Sequence, residues 1–220
     1  VSADARLLDE NFHQAYTLMS SAKMREAFDL SKEPDAVKDR YGRNKFGMSC
    51  LLARRMIERG VRFVTINQFE TVFNEITWDI HGSAPFSPIA CYRNEVGPMF
   101  DMAYASLLED LHQRGLLQNT MVVATGEFGR TPKINPAGGR DHWPQAMSVL
   151  VSGGGMRMGQ IIGSTNSRGE EPRDRPMTPN DLWATMFRHL GIDALNTNFQ
   201  DHTGRPMPIL PYGTPIAELF

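Results

Sequence analysis

Two short apolar runs, "TMVVAT" (Thr120–Thr125) and "AMSVLVSGG" (Ala146–Gly154), bracket the polar stretch "GEFGRTPKINPAGGRDHWP" (Gly126–Pro144). The flanking runs are of strand length, rich in Val, Met and Leu, and bounded by turn residues, which predicts two buried strands. The polar stretch between them contains Glu127, Arg130, Lys133, Arg140 and the Asp141-His142 pair among glycines and prolines, and reads as a loop.

Working outward, "VRFVTIN" (Val61–Asn67) is β-branched and apolar and predicts a further buried strand. Helical spacing predicts helices over "DARLLDENFHQAYTLM", with Leu7, Leu8, Phe12, Ala15 and Leu18 on one face, and over "SSAKMREAFDLSKE", closed by Pro34. A longer one is expected over "AVKDRYGRNKFGMSCLLARRMIERG", ending at Gly60. From Pro88 to Gly115 the stripe Phe100, Ala103, Tyr104, Leu107, Leu111 predicts another. "TPNDLWATMFRHLGI" has Thr178 as N-cap, Pro179 at the first helical position, Asp181 in the capping-box position and Gly191 as the stop. Strand, helix, strand, loop, strand, helix with near-continuous apolar strands predicts a single α/β domain over 1–220, a doubly wound sheet with helices on both faces. Ligands of such sheets sit beyond the carboxyl ends of the strands, where "WDIHG" and the polar loop both fall.

The net charge of −2, from 23 basic and 25 acidic residues, gives no field favouring nucleic acid or an anionic membrane. No apolar run reaches the roughly 20 residues a membrane span needs. Cys50 and Cys91 lie in separate apolar segments without CxxC spacing and read as buried thiols. The chain opens at "VSADARLLDE" in a helical pattern, as a processed or excised piece would.

Asp79 and His81 are two apart, so in an extended segment both side chains face the same way. With Glu127, Asp141 and His142 they make a set of imidazoles and carboxylates suited to a divalent ion such as zinc, manganese or iron. Loop-stabilising ion pairs account for the same residues equally well, and no HExxH-type motif decides between the two. Arg130 and Arg140 flank the set; a guanidinium fork fits a phosphate or sulfate, and pairing with Glu127 or Asp141 is the alternative. His112 and His189 near helix C-termini, and His13 on a helix surface, read as structural. His202 in "DHTGRP" is an outside candidate. The glycines Gly153–Gly155 match no nucleotide motif, Ser148 and Ser152 read as packing residues, and no GxSxG elbow occurs.

"WDIHG", "LLEDLHQRGLLQNTMVVATGEFGRTPKIN", "GGRDHWPQAMSVLVSGGG" and "DRPMTPNDLWATMFRHLGID" together resemble domain-of-unknown-function family 1501, a sulfatase-like family grouped with the alkaline phosphatase superfamily. The resemblance covers nearly the whole chain. It implies a doubly wound α/β fold and hydrolysis of phosphate or sulfate esters, small anionic substrates, at one or two metal ions, zinc or manganese. It also implies that the chain is the carboxy-terminal portion of a longer, exported protein whose nucleophile lies in the other half. By position it assigns Asp79 and His81 as one ligand pair, Glu127 as a second carboxylate ligand and His142 as the downstream ligand. Asp141 either ligates or orients His142, and Arg130 steadies the anion. Phe128 stands where the resemblance implies a metal-binding His, which leaves a one-metal site. A non-catalytic exported binding or scaffold protein on the same fold is the alternative.

Overall fold

The computed structural model describes residues 12–13, 16–17, 20–68 and 75–220. Within this stretch the chain forms two compact units. One runs to Asp79 and resumes over Ala84–Gln113; the other comprises Ile80–Ser83 and Arg114–Phe220.

The first unit is helical, with helices Ala22–Phe28, Asp35–Tyr41, Lys45–Glu58 and Gly97–Gln113. The Lys45–Glu58 helix packs against the other three, and Gly97–Gln113 also packs on Asp35–Tyr41. The predicted stripe is the buried face of Gly97–Gln113: Ala103, Leu107 and Leu111 are in the core, and Phe100 stacks on Phe46 and Tyr104. A π-helical turn, Tyr92–Val96, leads into this helix. Gly97 allows it, since a Cβ there would lie 2.3 Å from the Tyr92 carbonyl oxygen.

The single helix expected from Ala36 to Gly60 is two. Gly42 takes φ 78°, and the Asn44 side chain caps the second helix by accepting from the Gly47 N–H. The amphipathic period persists through the break, so periodicity alone could not reveal it. Of the first predicted helix, Phe12 and His13 are helical and exposed; Leu7, Leu8, Ala15 and Leu18 lie outside the described residues.

Val61–Asn67, expected as a buried strand, forms no strand, and Phe63 is 54% exposed. A strand is defined by its ladder, and among the described residues no ladder reaches this segment. Its first residue instead finishes the preceding helix: Gly60, at φ 89°, lets the Val61 N–H reach the Met56 carbonyl at 3.1 Å.

In the second unit, Met121–Ala124 (β1) and Leu150–Gly153 (β4) are strands as expected, but they are half-buried rather than buried, with Leu150 50% exposed, and they pair antiparallel, Met121 with Gly153 through Ala124 with Leu150. Residues 125–149 contain no helix to carry the chain back for a parallel crossover, so the return is antiparallel. Three further two-stranded antiparallel ladders follow: Gly129–Arg130 (β2) with His142–Trp143 (β3), Ser164–Thr165 (β5) with Pro172–Asp174 (β6), and Asn198–Gln200 (β7) with Pro206–Pro208 (β8). The described residues thus combine helices with small antiparallel sheets, without a broad parallel sheet. Met156, Ile216 and Leu219 form one apolar cluster with Met121 and Val151 packed on it. Ala184, Ala194 and Leu210 form another, with Phe187.

The Pro179–His189 helix has the predicted capping box and ends at Gly191. The Asp181 carboxylate accepts from the Thr178 N–H at 2.7 Å and from the Thr214 N–H at 2.8 Å. Burial pushes its pKa up, but the N–H groups of Thr214 and Thr178 outweigh that and leave it lowered. A depressed folded pKa means the contribution is complete above the unfolded value and is lost as pH falls through the folded one. Asp181→Ala is therefore expected to cost about 1–2 kcal/mol at neutral pH. Urea unfolding should show that difference shrinking below the unfolded carboxylate value of 3.8.

Candidate metal centre

The polar loop doubles back on itself. β2 and β3 pair so that Gly129 faces Trp143 and Arg130 faces His142. Arg140 closes the loop from inside: its guanidinium donates to the Arg130 carbonyl at 3.2 Å and to the Thr131 carbonyl. Arg140 is thus held by carbonyl oxygens rather than by Glu127 or Asp141, and its role is to build the loop. Trp143 Nε1 donates to the Glu170 carbonyl at 2.7 Å, fixing β3 from its other side.

This closed loop grips the segment that carries His81. The Arg140 N–H donates to the Ile80 carbonyl at 2.7 Å, and Asn135 Nδ2 donates to the His81 carbonyl at 3.1 Å. Gly139 makes the approach possible, because a Cβ there would lie 2.2 Å from the His81 carbonyl carbon. Gly82 meets the loop from the opposite side, with φ 98° and room for no Cβ against the Ala137 carbonyl.

The grip brings His81 and His142 together, ring centroids 4.7 Å apart. Asp79 is two residues before His81 and joins them through the local chain: one donor atom from each of Asp79, His81 and His142 lies within 4.8 Å of the other two. Asp79 and His81 are half-buried and His142 is exposed. The Asp79 carbonyl accepts from the Ser87 N–H, and its N–H donates to Thr77 Oγ1. Phe128 lies against His142, centroids 4.0 Å apart, and the Arg130 guanidinium sits 5.7 Å from the Phe128 centroid.

Glu127 and Asp141 are not in the three-donor group. Glu127 is exposed at the tip beyond β1. Asp141 is occupied in the loop: its carboxylate accepts from Asn135 Nδ2 at 3.0 Å, and its carbonyl accepts from the Thr131 N–H. Arg130 donates to the Arg140 carbonyl at 3.3 Å. His112 and His202 are exposed, and His189 lies in the last turn of its helix beside Gly154. The Gly154 N–H is directed to the Leu117 and Thr120 carbonyls, tying β4 to the preceding turn. Cys50 is buried and its thiol is pushed up to about 12, an inert packing residue. Asn135 is the residue whose type gives no hint of a place here; the Asn-Pro dipeptide, a turn initiator, is its one signal.

Two imidazoles and one carboxylate are the donor set of catalytic zinc sites that keep a coordination position open, and manganese and iron accept it too. A tetrahedral ion with bonds of about 2.1 Å spaces its donors by roughly 3.4 Å, within the 4.8 Å that bounds the spacing of these three. The described residues thus combine helices and small antiparallel sheets, with Asp79, His81 and His142 converging where the clasped loop meets the His81 segment. The chain belongs to the family described as "Protein of unknown function (DUF1501)", whose family model matches residues 2–220. No curated protein and no solved structure matches it. Among the described residues, no helix is long and apolar enough to cross a membrane.

Proposed function

We propose that Asp79, His81 and His142 hold one divalent ion, zinc or manganese, in a centre that hydrolyses phosphate or sulfate esters. The observation that carries this reading is the convergence of these three donors within 4.8 Å. Such an ion polarises an ester oxygen and lowers the pKa of a bound water. The chain's own residues do the rest. Asp79 supplies charge neutralisation, while His81 and His142 supply neutral donors from two backbone segments locked to each other. Phe128 lies against the His142 imidazole, the rings tilted by 38°, and contributes no donor, which favours one ion rather than two. Arg130, its guanidinium 5.7 Å from the Phe128 ring centroid, carries a planar fork of the kind that suits paired anionic oxygens. In the same reading the chain is the carboxy-terminal portion of a doubly wound, alkaline-phosphatase-like protein acting outside the cytoplasm on a small anionic ester.

Phe128 also favours a second reading, a non-catalytic binding protein that keeps the ion without turnover. Elemental analysis of the wild type beside Asp79→Ala and His142→Ala is expected to find a stoichiometric divalent ion in the first and none in either variant. No ion in the wild type after refilling with zinc or manganese overturns the metal centre. If the ion is held, aryl phosphates and aryl sulfates offered to the metal-loaded full-length protein separate the two readings. Turnover abolished by His142→Ala supports the hydrolase; a folded, loaded and inert protein leaves the binding reading.

A further inference from the structure

We infer that Asn135 is the positioning residue of this centre: its side-chain amide joins the backbone that carries His81 to the residue next to His142, and so sets the separation of the two imidazoles. The inference rests on the metal-centre reading above.

Asn135 uses every hydrogen-bonding position it has. Oδ1 accepts from the Ala137 N–H at 3.0 Å and the Gly139 N–H at 2.9 Å. Nδ2 donates to the His81 carbonyl at 3.1 Å and to an Asp141 carboxylate oxygen at 3.0 Å. Its N–H donates to the Gly139 carbonyl at 2.8 Å, and its carbonyl accepts from the Gly138 N–H at 3.0 Å. The amide orientation follows from chemistry: two N–H donors face one end and two oxygen acceptors face the other, so a flipped amide would make none of the four side-chain bonds.

The two ends do different work. Oδ1 folds residues 135–139 into a turn, a local function that Asn-Pro commonly serves. Nδ2 reaches out of the turn. One hydrogen fixes the carbonyl of a ligand residue, the other the side chain adjacent to a second ligand. His81 and His142 lie on chain segments with no covalent nearness, so their spacing depends on what joins those segments. The Arg140 N–H to Ile80 carbonyl bond is one tie and the Asn135 amide is another, made by a side chain and so open to substitution. Groups behind the first ligands commonly change metal affinity by about 10–100-fold when removed.

Asn135→Asp isolates the outward-reaching end. It keeps an oxygen for the Ala137 and Gly139 N–H groups, so the turn persists, and replaces the donor by a second oxygen facing two acceptors. Cobalt(II) is the probe, titrated into the full chain and followed by its visible absorption. Wild type is expected to bind. Asn135→Asp is expected to bind about 10–100-fold more weakly with an altered visible band, at an unchanged far-UV circular dichroism spectrum. Adding Asp141→Asn returns a donor between positions 135 and 141 and is expected to recover part of the affinity.

Wild-type affinity and an unchanged band in Asn135→Asp overturn the inference while leaving the metal centre standing. Failure of the wild type to bind cobalt, zinc or manganese is the distinct failure of the metal-centre reading. In that case the imidazole resonances of His81 and His142 in the metal-free protein decide. Shifts in both on Asn135→Asp support the clasp, and unmoved resonances overturn it.

Discussion

Arg54→Ala is expected to destabilise the helical unit by roughly 3–5 kcal/mol, the largest loss of any single substitution considered. Arg54 is 1% exposed, and its guanidinium contacts Glu33 at 2.7 Å, Glu58 at 2.6 Å and Asp110 at 2.8 Å. Arg55 pairs with the same Glu33 and donates to the Ala27 carbonyl at 2.7 Å. Tyr41 donates to Asp110 at 3.0 Å. With Arg59 3.7 Å from Glu58, three cations thus serve three carboxylates drawn from the Lys45–Glu58 helix, the Gly97–Gln113 helix and the turn before Asp35. Removing Arg54 leaves Arg55 on Glu33 and Arg59 3.7 Å from Glu58, while Asp110, 2% exposed, loses the guanidinium it faces.

The magnitude comes from that uncompensated charge, not from the pair's net worth, since a buried pair gains little over an apolar one. Asp110→Asn, which keeps an acceptor for Arg54 and Tyr41, is therefore expected to cost much less. Urea unfolding should place the Arg54→Ala midpoint about 1–3 M below wild type. The pH dependence has a definite sign. Burial pushes the Glu33 carboxyl up, but Arg54 and Arg55 outweigh it and its pKa is lowered. Its contribution is complete above the ordinary glutamate value and is lost as pH falls through the lowered one. Acid should therefore weaken wild type while narrowing its gap to Arg54→Ala. A gap that stays constant from neutral to acid pH would sink the electrostatic account.

Local signals were legible where their causes are local. Thr178, Pro179, Asp181 and Gly191 mark a helix because caps act within four residues, and the structure has that helix at Pro179–His189. Met121–Ala124 and Leu150–Gly153 are strands because their runs have strand length and composition. What failed was everything needing a partner. "VRFVTIN" has the same composition as those runs, yet no described strand pairs with it. The direction of pairing failed too: apolar strands suggest parallel burial, but the connection 125–149 decides it, and its lack of a helix was the better guide. In the candidate site, Asp79 and His81 were readable from their spacing, and His142 from its place at the end of the polar loop. Glu127 fits the donor type but lies outside the cluster, because residue type does not report how far a loop tip projects. Asn135 was invisible for the converse reason: its role is a hydrogen bond across 54 positions.

Gly139→Ala is expected to open the clasp and abolish metal retention, at a stability cost of roughly 1–3 kcal/mol. The added Cβ would stand 2.2 Å from both the His81 carbonyl carbon and the Ile80 carbonyl oxygen, and 2.4 Å from the Gly82 nitrogen. All three are backbone atoms, so no side chain can rotate aside. The two segments must separate, and separation breaks the 2.7 Å bond from Arg140 to Ile80 and the bond from Asn135 to His81 together. His81 then moves relative to His142, and a donor set already spread to 4.8 Å no longer closes on one ion.

The neighbouring glycine supplies the control. Gly138 has φ 78° and nothing within 4 Å of a would-be Cβ, so Gly138→Ala strains its own backbone without touching the His81 segment. It is expected to cost about 1 kcal/mol and to leave metal binding intact. Gly139 is not among the left-handed glycines, so its substitution tests close approach alone. Elemental analysis and urea unfolding of the two variants side by side decide the matter. Metal lost in Gly139→Ala and kept in Gly138→Ala places the cause in the contact between backbones. Equal retention in both would mean that the His81 segment does not depend on the loop for its position.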